Sequence, residues 1–363
     1  MTKEIIFFCP SIEDGGVEKN LFLIANKLCD KFKISVVTAN KNKKNKFNKK
    51  VNLIFPKNIN IDNANRLIKS FYCFFLIIKN YKSKNRIIIS YESNIFAIII
   101  AKLIGIPVII RSNASPEGYL NNFLKIQIFK FFFKFADIIL VNSFEFKKQI
   151  DKILNINSKI IYNSVIDRKT QLKLSSEKFK KYNLKPNCYK IVVIGRLVKQ
   201  KDQITILKAL NLLKKKLDFF VYIIGKGDRK NDLKKFCASK KLSNKIKFLG
   251  YKKNIYPYLK WSNALILSSK YEGSPNVLIE AISMKKIVIS SNCPTGPKEI
   301  LKNGKAGYLF KTSNFEDLSK KIVTSFVNKK LSQEKIKFAQ KTITRYSINK
   351  NKNELIKIIN SLK

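Results

Sequence analysis

Histidine is missing from all 363 residues. That excludes Ser-His-Asp triads, imidazole general bases and imidazole metal ligands. Acidic residues are scarce: 24 Asp and Glu face 73 Lys and Arg, a formal charge of +49. Such a chain binds polyanions, whether nucleic acid, an anionic membrane surface or phosphorylated small molecules. Part of the excess goes with a composition rich in Lys, Asn, Ile and Phe together, so charge alone selects none of the three. The six cysteines, Cys9, Cys29, Cys73, Cys188, Cys237 and Cys293, form no Cys-x-x-Cys pair and sit mostly in apolar runs. They read as buried free thiols suited to a reducing cytoplasm. Long hydrophobic runs are lacking too. Residues 95–110 are the most apolar stretch, but Lys102, Gly105 and Pro107 interrupt it, and it is shorter than a membrane span. It reads as a helix followed by a buried strand. Residues 5–9 are too short for the core of a secretory signal and run on into Glu13 and Asp14, so no signal is expected.

What is present suffices for packed cores: 45% of the chain is hydrophobic, and the length suggests two domains. The pattern is organised around residues 271–281, Tyr-Glu-Gly-Ser-Pro-Asn-Val-Leu-Ile-Glu-Ala. The apolar run 263–268 before it reads as a buried strand, and 277–284 as a helix. Gly273 and Ser274 are loop residues, and Pro275 suits the entry to that helix. The backbone N–H groups of the first turn, at Asn276 and Val277, form a natural anion site. Glu272 and Glu280, eight positions apart, bracket it. Two carboxylates around a phosphate-friendly helix start fit a ligand carrying both phosphate and sugar hydroxyls.

Glu-x7-Glu in the setting Glu-Gly-x-Pro-x-x-Leu-x-Glu-Ala resembles the signature of the retaining glycosyltransferases of family four, the bacterial surface-polysaccharide type. The resemblance implies an α/β chain with the GT-B fold, two Rossmann-like domains facing each other across a cleft. It covers nearly the whole chain, most closely residues 191–310. It implies a nucleotide-diphosphate sugar donor, most often UDP-linked, held mainly by the second domain. It also implies a glycan or lipid-linked acceptor and transfer with retention of anomeric configuration. Gly195-Arg-Leu-Val-Lys-Gln-Lys resembles the family loop whose guanidinium and ammonium reach the diphosphate. By that carry-over Arg196 and Lys201, with Glu272, are catalytic, since a fork and a point charge suit a departing pyrophosphate. Asp202 stands where the family commonly has glycine. Gly15 and Gly16, in the first glycine loop, match a Gly-Gly that faces the nucleotide diphosphate. Gly225, in Gly225-Lys-Gly-Asp228, reads as part of a turn near the nucleotide, and Asn254 lies in a loop that the family places by the base. The donor-binding set is completed by Gly195, Gly273, Ser274, Pro275, Asn276, Val277 and Glu280. A retaining mechanism lets a donor phosphate oxygen take the acceptor proton, which suits a chain without histidine. Many members do place a histidine by the sugar, and this chain departs from them there. No cofactor and no metal are expected, because no Asp-x-Asp pair is present to organise a divalent cation.

The rest of the chain follows a βα rhythm. Strands are expected at 4–9, 33–39, 86–90, 107–110 and 138–142, with a short strand and turn at 159–165, where Ser164 replaces the proline usual in the family. Helices are expected at 20–28, 63–80 and 143–154, the second as core, and 41–50 as a solvated loop. Glu92, Ser93, Asn94, Arg111 and Asn113 stand at strand ends, as sugar or acceptor contacts or in ordinary capping roles. Residues 118–136 mix phenylalanines with Lys125, Lys130 and Lys134. One reading is a buried helix whose lysines solvate its rim; the other is a segment lying on an anionic bilayer. Residues 169–185 read as a polar linker. Strands then recur at 189–194, 219–224, 247–251, 286–290 and 308–310, with a helix at 205–213. The tail, 314–363, reads as two or three basic helices, and the resemblance implies that the last crosses back. The expected domains are 1–168, 169–345 and that final helix at 346–363. A cytoplasmic enzyme, peripheral on the inner face of the plasma membrane, is expected, with no nucleic acid as partner. The rival classes are a basic nucleic-acid-binding protein, which would lack any binding motif, and a GT-B-like epimerase or phosphorylase.

Overall fold

Short runs of Ile, Val and Phe with both faces apolar make strands buried on both sides, which is the mark of parallel sheets covered by helices. The computed structural model describes residues 3–13, 15–57, 59–80, 85–113, 116, 120, 122–179 and 182–362. Asp14 of the first glycine loop, Ala114 and Ser115 after the fifth strand, and Gly118 lie outside the described residues. The chain forms two units, Met1–Ser164 with Ile348–Lys363, and Val165–Ser347.

The first unit contains β1 (Glu4–Phe8), β2 (Lys33–Val37), β3 (Asn52–Ile54), β4 (Arg86–Ser90), β5 (Val108–Arg111), β6 (Ile138–Val141) and β7 (Lys159–Ile160). They form one parallel sheet in the order β3-β2-β1-β4-β5-β6-β7. The second contains β8 (Tyr189–Ile194), β9 (Phe219–Ile224), β10 (Ile246–Gly250), β11 (Ala264–Leu267), β12 (Ile287–Ser291) and β13 (Tyr308–Phe310), in the order β10-β9-β8-β11-β12-β13. In each sheet the strand order reverses once, between β1 and β4 and between β8 and β11. In doubly wound sheets ligands bind at that switch point, beyond the carboxyl ends of the strands.

Alternate residues of β1 serve the two sides of the first sheet. Ile6 and Phe8 pack with Cys73, Ile77, Ala97, Ala101 and Phe133 from three helices. Ile5 and Phe7 pack with Leu21 and Ile24 of the helix Gly16–Leu28 and with Leu355 and Ile359 of the last helix, Ile348–Ser361. That last helix is tied in by Lys3 Nζ, which donates to the carbonyl of Ile359 at 3.4 Å. Asn351 Nδ2 donates to the carbonyl of Asn163 at 3.4 Å. All six cysteines are buried and free.

Several elements differ from the sequence expectations. The helix expected at 63–80 runs over Arg66–Asn80, and it is not a core element throughout. It buries Lys69, Ser70, Cys73 and Ile77 while Leu67, Ile68, Phe71 and Phe75 are exposed. The helix is amphipathic, but its stripe with Lys69 and Ser70 turns inward and its apolar stripe faces out, so periodicity points to the wrong side. The buried reading of 118–136 fails likewise: in the helix Phe123–Phe133 only Phe133 is fully buried. The supposed linker begins with a helix, Arg168–Ser175, capped by the Asp167 carboxylate, which accepts from the Thr170 N–H at 3.3 Å. The edge strand β3 and the lysine-rich helix Lys230–Ser239 were not anticipated.

Candidate functional site

In the second unit three loops meet beyond β8, β11 and β12. The loop after β8, from Gly195, lies backbone to backbone on the loop after β9. Leu197 N–H donates to the carbonyl of Lys226 at 2.7 Å, and Arg229 N–H to that of Leu197 at 3.0 Å. A Cβ at Gly225 would sit 1.8 Å from the Gly195 carbonyl oxygen, so no other residue fits there without moving the backbone. The carbonyl of Arg196 accepts from Gln203 Nε2 at 2.7 Å, which fixes its backbone while the guanidinium side remains exposed.

Lys201 and Glu272 form an ion pair through Nζ and Oε1, with side chains only 15% and 8% exposed. The same Oε1 accepts from the Ser269 hydroxyl at 2.6 Å. Thr295 Oγ1 donates to the Glu272 carbonyl. Ser268 Oγ donates to the carbonyls of Lys201 and Asp202 at 2.8 and 2.9 Å. An ammonium is thus held at the mouth of the switch point by one carboxylate, and that carboxylate is oriented by a hydroxyl. Burial, followed by the Glu272 charge, pushes the Cys293 thiol up to about 12, so it stays neutral. Gly296 has φ +41°, and a Cβ there would lie 2.5 Å from the Gly273 carbonyl oxygen and 2.7 Å from Pro275 Cδ. The third loop therefore props the Gly273–Pro275 turn from below. Pro275 caps the helix Asn276–Ser283, in which Asn276 and Val277 are half-buried.

Asp202 also finds its explanation here. It sits at φ +47°, a region glycine enters freely and aspartate tolerates. Its carboxylate accepts from the hydroxyls of Thr205 and Ser313, both at 2.8 Å.

The structure brings Gly195, Arg196, Lys201, Gly225, Glu272, Gly273 and Pro275 together. Glu280 lies deeper, 3% exposed, and its Oε1 accepts from the Tyr256 hydroxyl at 3.4 Å. The side chain of Asn254 donates to the Leu174 carbonyl at 2.7 Å and accepts from the Tyr256 N–H at 3.0 Å. Asn254 and Glu280 thus bracket Tyr256. Ser269, Thr295, Gln203 and Gly296 escaped the sequence reading; the serines and threonines that close β11 and β12 were the available signal.

In the first unit Gly15 precedes the helix Gly16–Leu28, and Gly16 lies within it. A Cβ at Gly15 would meet Glu18 Oε2 at 2.6 Å. Burial, reinforced by Glu92 and Glu13, raises the Glu18 carboxyl to about 7. Burial also raises Glu92, against an ion pair to Arg66 at 2.8 Å and the Ser11 N–H at 3.1 Å. Beside them a cavity of about 480 Å³ is lined by Ser11, Glu13, Asn40, Asp62 and Lys69 among others. Arg111 is a brace: 3% exposed, it donates to the Ile161 carbonyl at 3.0 Å and to Asn163 Oδ1 at 2.9 Å. Asn113 and Asn94 bind backbone around it: Asn113 Nδ2 donates to the Tyr91 carbonyl at 3.0 Å and Asn94 Nδ2 to the Arg111 carbonyl at 3.2 Å. Ser93 Oγ accepts from the Ser70 hydroxyl at 2.7 Å.

Residues 175–342 match the family model described as glycosyl transferases group 1. A protein of Methanocaldococcus jannaschii named an uncharacterized glycosyltransferase is 38% identical over 192 residues, 51% of this chain and 47% of its own length. The chain therefore spans about half of that relative. The Campylobacter jejuni protein named GalNAc-alpha-(1->4)-GalNAc-alpha-(1->3)-diNAcBac-PP-undecaprenol alpha-1,4-N-acetyl-D-galactosaminyltransferase is 28% identical over 380 residues, covering 99% of each chain. Among solved structures, Anabaena HepE in complex with UDP-glucose superimposes with a TM-score of 0.80 at 17% identity, covering 99% of this chain and 100% of its own.

Proposed function

We propose that this chain, which has the GT-B fold, acts as a group 1 glycosyltransferase and moves a sugar from a UDP-class nucleotide donor to a glycan or lipid-linked acceptor. One observation carries the proposal: the largely buried Lys201–Glu272 pair joins the loops after β8 and β11, and Arg196 is exposed in the first of these loops. On this reading Arg196, Lys201 and the N–H groups at the start of the helix Asn276–Ser283 supply the positive charge that a leaving diphosphate needs. Glu272 positions the ammonium and keeps it from folding outward. Arg196, with its backbone fixed by Gln203, reaches the more solvated oxygens as a planar fork. No side-chain base is required if the departing phosphate takes the acceptor proton, and transfer then retains the anomeric configuration. No metal is called for, since arginine, lysine and helix start supply the charge. Supporting names come from the relatives: the Campylobacter protein's names a polyprenol-diphosphate-linked glycan, and the HepE complex holds UDP-glucose. We place the reaction in cell-surface polysaccharide synthesis at the cytoplasmic side of a membrane. No observation favours a nucleic-acid or epimerase role.

The test is turnover with a panel of nucleotide sugars and polyprenol-diphosphate glycans, followed by NMR of the first-formed product. Retained configuration with a UDP-sugar is expected. An inverted product would refute the mechanism, and binding of no nucleotide sugar would refute the donor.

A further inference from the structure

Three helices, Arg66–Asn80, Asn94–Ile104 and Phe123–Phe133, lie side by side on one face of the first sheet. Their inward residues fill the core. Their outward residues are also apolar: Leu67, Phe71, Phe75, Leu103, Phe123 and Phe131 are between 52% and 76% exposed. Single exposed apolar residues need no explanation, but six on three helices that pack side by side mark a surface made to be covered. The rings are preassembled, with Phe71 and Phe75 edge to face at 4.9 Å and Phe131 and Phe135 at 5.3 Å.

The charge on this face says what covers it. The three helices contain no acidic residue at all, while they and the residue that caps the third carry Lys79, Lys125, Lys130 and Lys134, and Lys102 pairs with Asp137 at 3.6 Å. A second copy of the chain would set lysine against lysine across the contact. An anionic bilayer accepts both features at once: phenyl and leucyl groups enter the headgroup–acyl boundary, and ammonium groups meet lipid phosphates. No helix of the described residues is long and apolar enough to cross a membrane, so contact is made from one side. We propose that this three-helix face is a docking surface for an anionic lipid bilayer. Leu67 and Phe123 stand in the first turns of their helices, which in a parallel βα sheet lie at the carboxyl edge of the strands. The docked face therefore borders the β1/β4 switch point. The inference goes beyond the transfer reading and does not depend on it.

Flotation with vesicles of phosphatidylglycerol and phosphatidylcholine, against phosphatidylcholine alone, tests it on the full chain. Wild type is expected to float with the anionic vesicles at low salt and not with neutral ones. The triple variant Phe71→Gln/Phe123→Gln/Phe131→Gln is expected to lose at least about tenfold in partitioning with an unchanged melting temperature. Lys125→Gln/Lys130→Gln/Lys134→Gln is expected to weaken binding and to flatten its fall with salt. Three outcomes would overturn the proposal. Wild type ignores anionic vesicles. The phenylalanine variant binds as wild type does, so that charge elsewhere carries the attraction. Or wild type is a dimer that the phenylalanine variant splits, with no vesicle binding.

Discussion

The switch points of the two sheets are built from opposite materials. Beyond β8 and β11, one carboxylate holds one ammonium in place, Arg196 is exposed in the same loop, and the glycine loops touch through their backbones. Beyond β1 and β4, carboxylates crowd one another: burial and then Glu92 and Glu13 raise Glu18, and burial and then Glu13 raise Glu92. The flanks differ as well. The second unit's helices expose Leu212, Val323, Val327 and Phe338, while the first unit's expose a cluster of phenylalanines, Phe71, Phe75, Phe123 and Phe131 among them. A site for a leaving diphosphate needs fixed positive charge and backbone that no side chain obstructs. On the proposed docking, the exposed phenylalanines of the first unit are free to insert into a bilayer.

The contrast between inward and outward phenylalanines gives the largest expected effect. Phe133→Ala should cost about 3–5 kcal/mol in urea unfolding. Phe131→Ala, two residues away, should stay within about 0.5 kcal/mol. Equal costs would mean that the exposed face is packed after all. Next come the cations of the second unit. Arg196→Ala and Lys201→Ala should each lower kcat by about 10²–10³, with KM changing less. Changes confined to KM would show ordinary ground-state binding and would erase the functional difference between the two switch points.

The crowded carboxylates give a smaller, pH-dependent effect. Glu18 rises from 4.5 to about 7 on folding, so between those values the folded chain holds a proton that the unfolded chain has released. Its contribution is complete below pH 4.5 and is lost as pH rises through about 7. At about 1.4 kcal/mol per pKa unit the loss is about 3 kcal/mol. Glu18→Gln should flatten the stability profile over that window, and an unaltered profile would show that Glu18 is solvated. Last is Glu280. If the buried carboxylate still reaches a ribose hydroxyl, Glu280→Gln should weaken donor affinity by about 1.5–3 kcal/mol in calorimetry. Unchanged affinity would assign Glu280 to the Tyr256 network alone.

The site in the second unit was legible because its chemistry is local. Gly195 to Lys201 and Glu272 to Glu280 are short segments, and glycine, proline and charge at fixed offsets say what their backbones must do. Even the outlier fits, since Asp202 occupies a left-handed position that glycine would take without cost. The first unit was less legible. Ser11, Asp62, Lys69 and Glu92 come together from four separate stretches, and no local spacing links them. The helix Arg66–Asn80 misled for another reason. Its apolar stripe of Leu67, Ile68, Phe71 and Phe75 announces a core face, yet the stripe with Lys69 and Ser70 is the one that packs inward. The strand β3 is three residues long at a sheet edge, and Lys230–Ser239 buries only Leu233 and Cys237, too little for either to rise above the polar background.

The return of the last helix to the first sheet sets the order in which this molecule is completed at the ribosome. Domains generally fold as units as they emerge, the earlier one first. Here one flank of the first sheet is closed by Leu355 and Ile359, which are made only after the whole of Val165–Ser347. The nascent first unit must wait with Leu21, Ile24 and their neighbours partly open, while the second, uninterrupted in sequence, can close on itself. The unit that starts first is finished last, and a chain cut after Ser347 would lose part of the core of a domain whose other residues had been made long before.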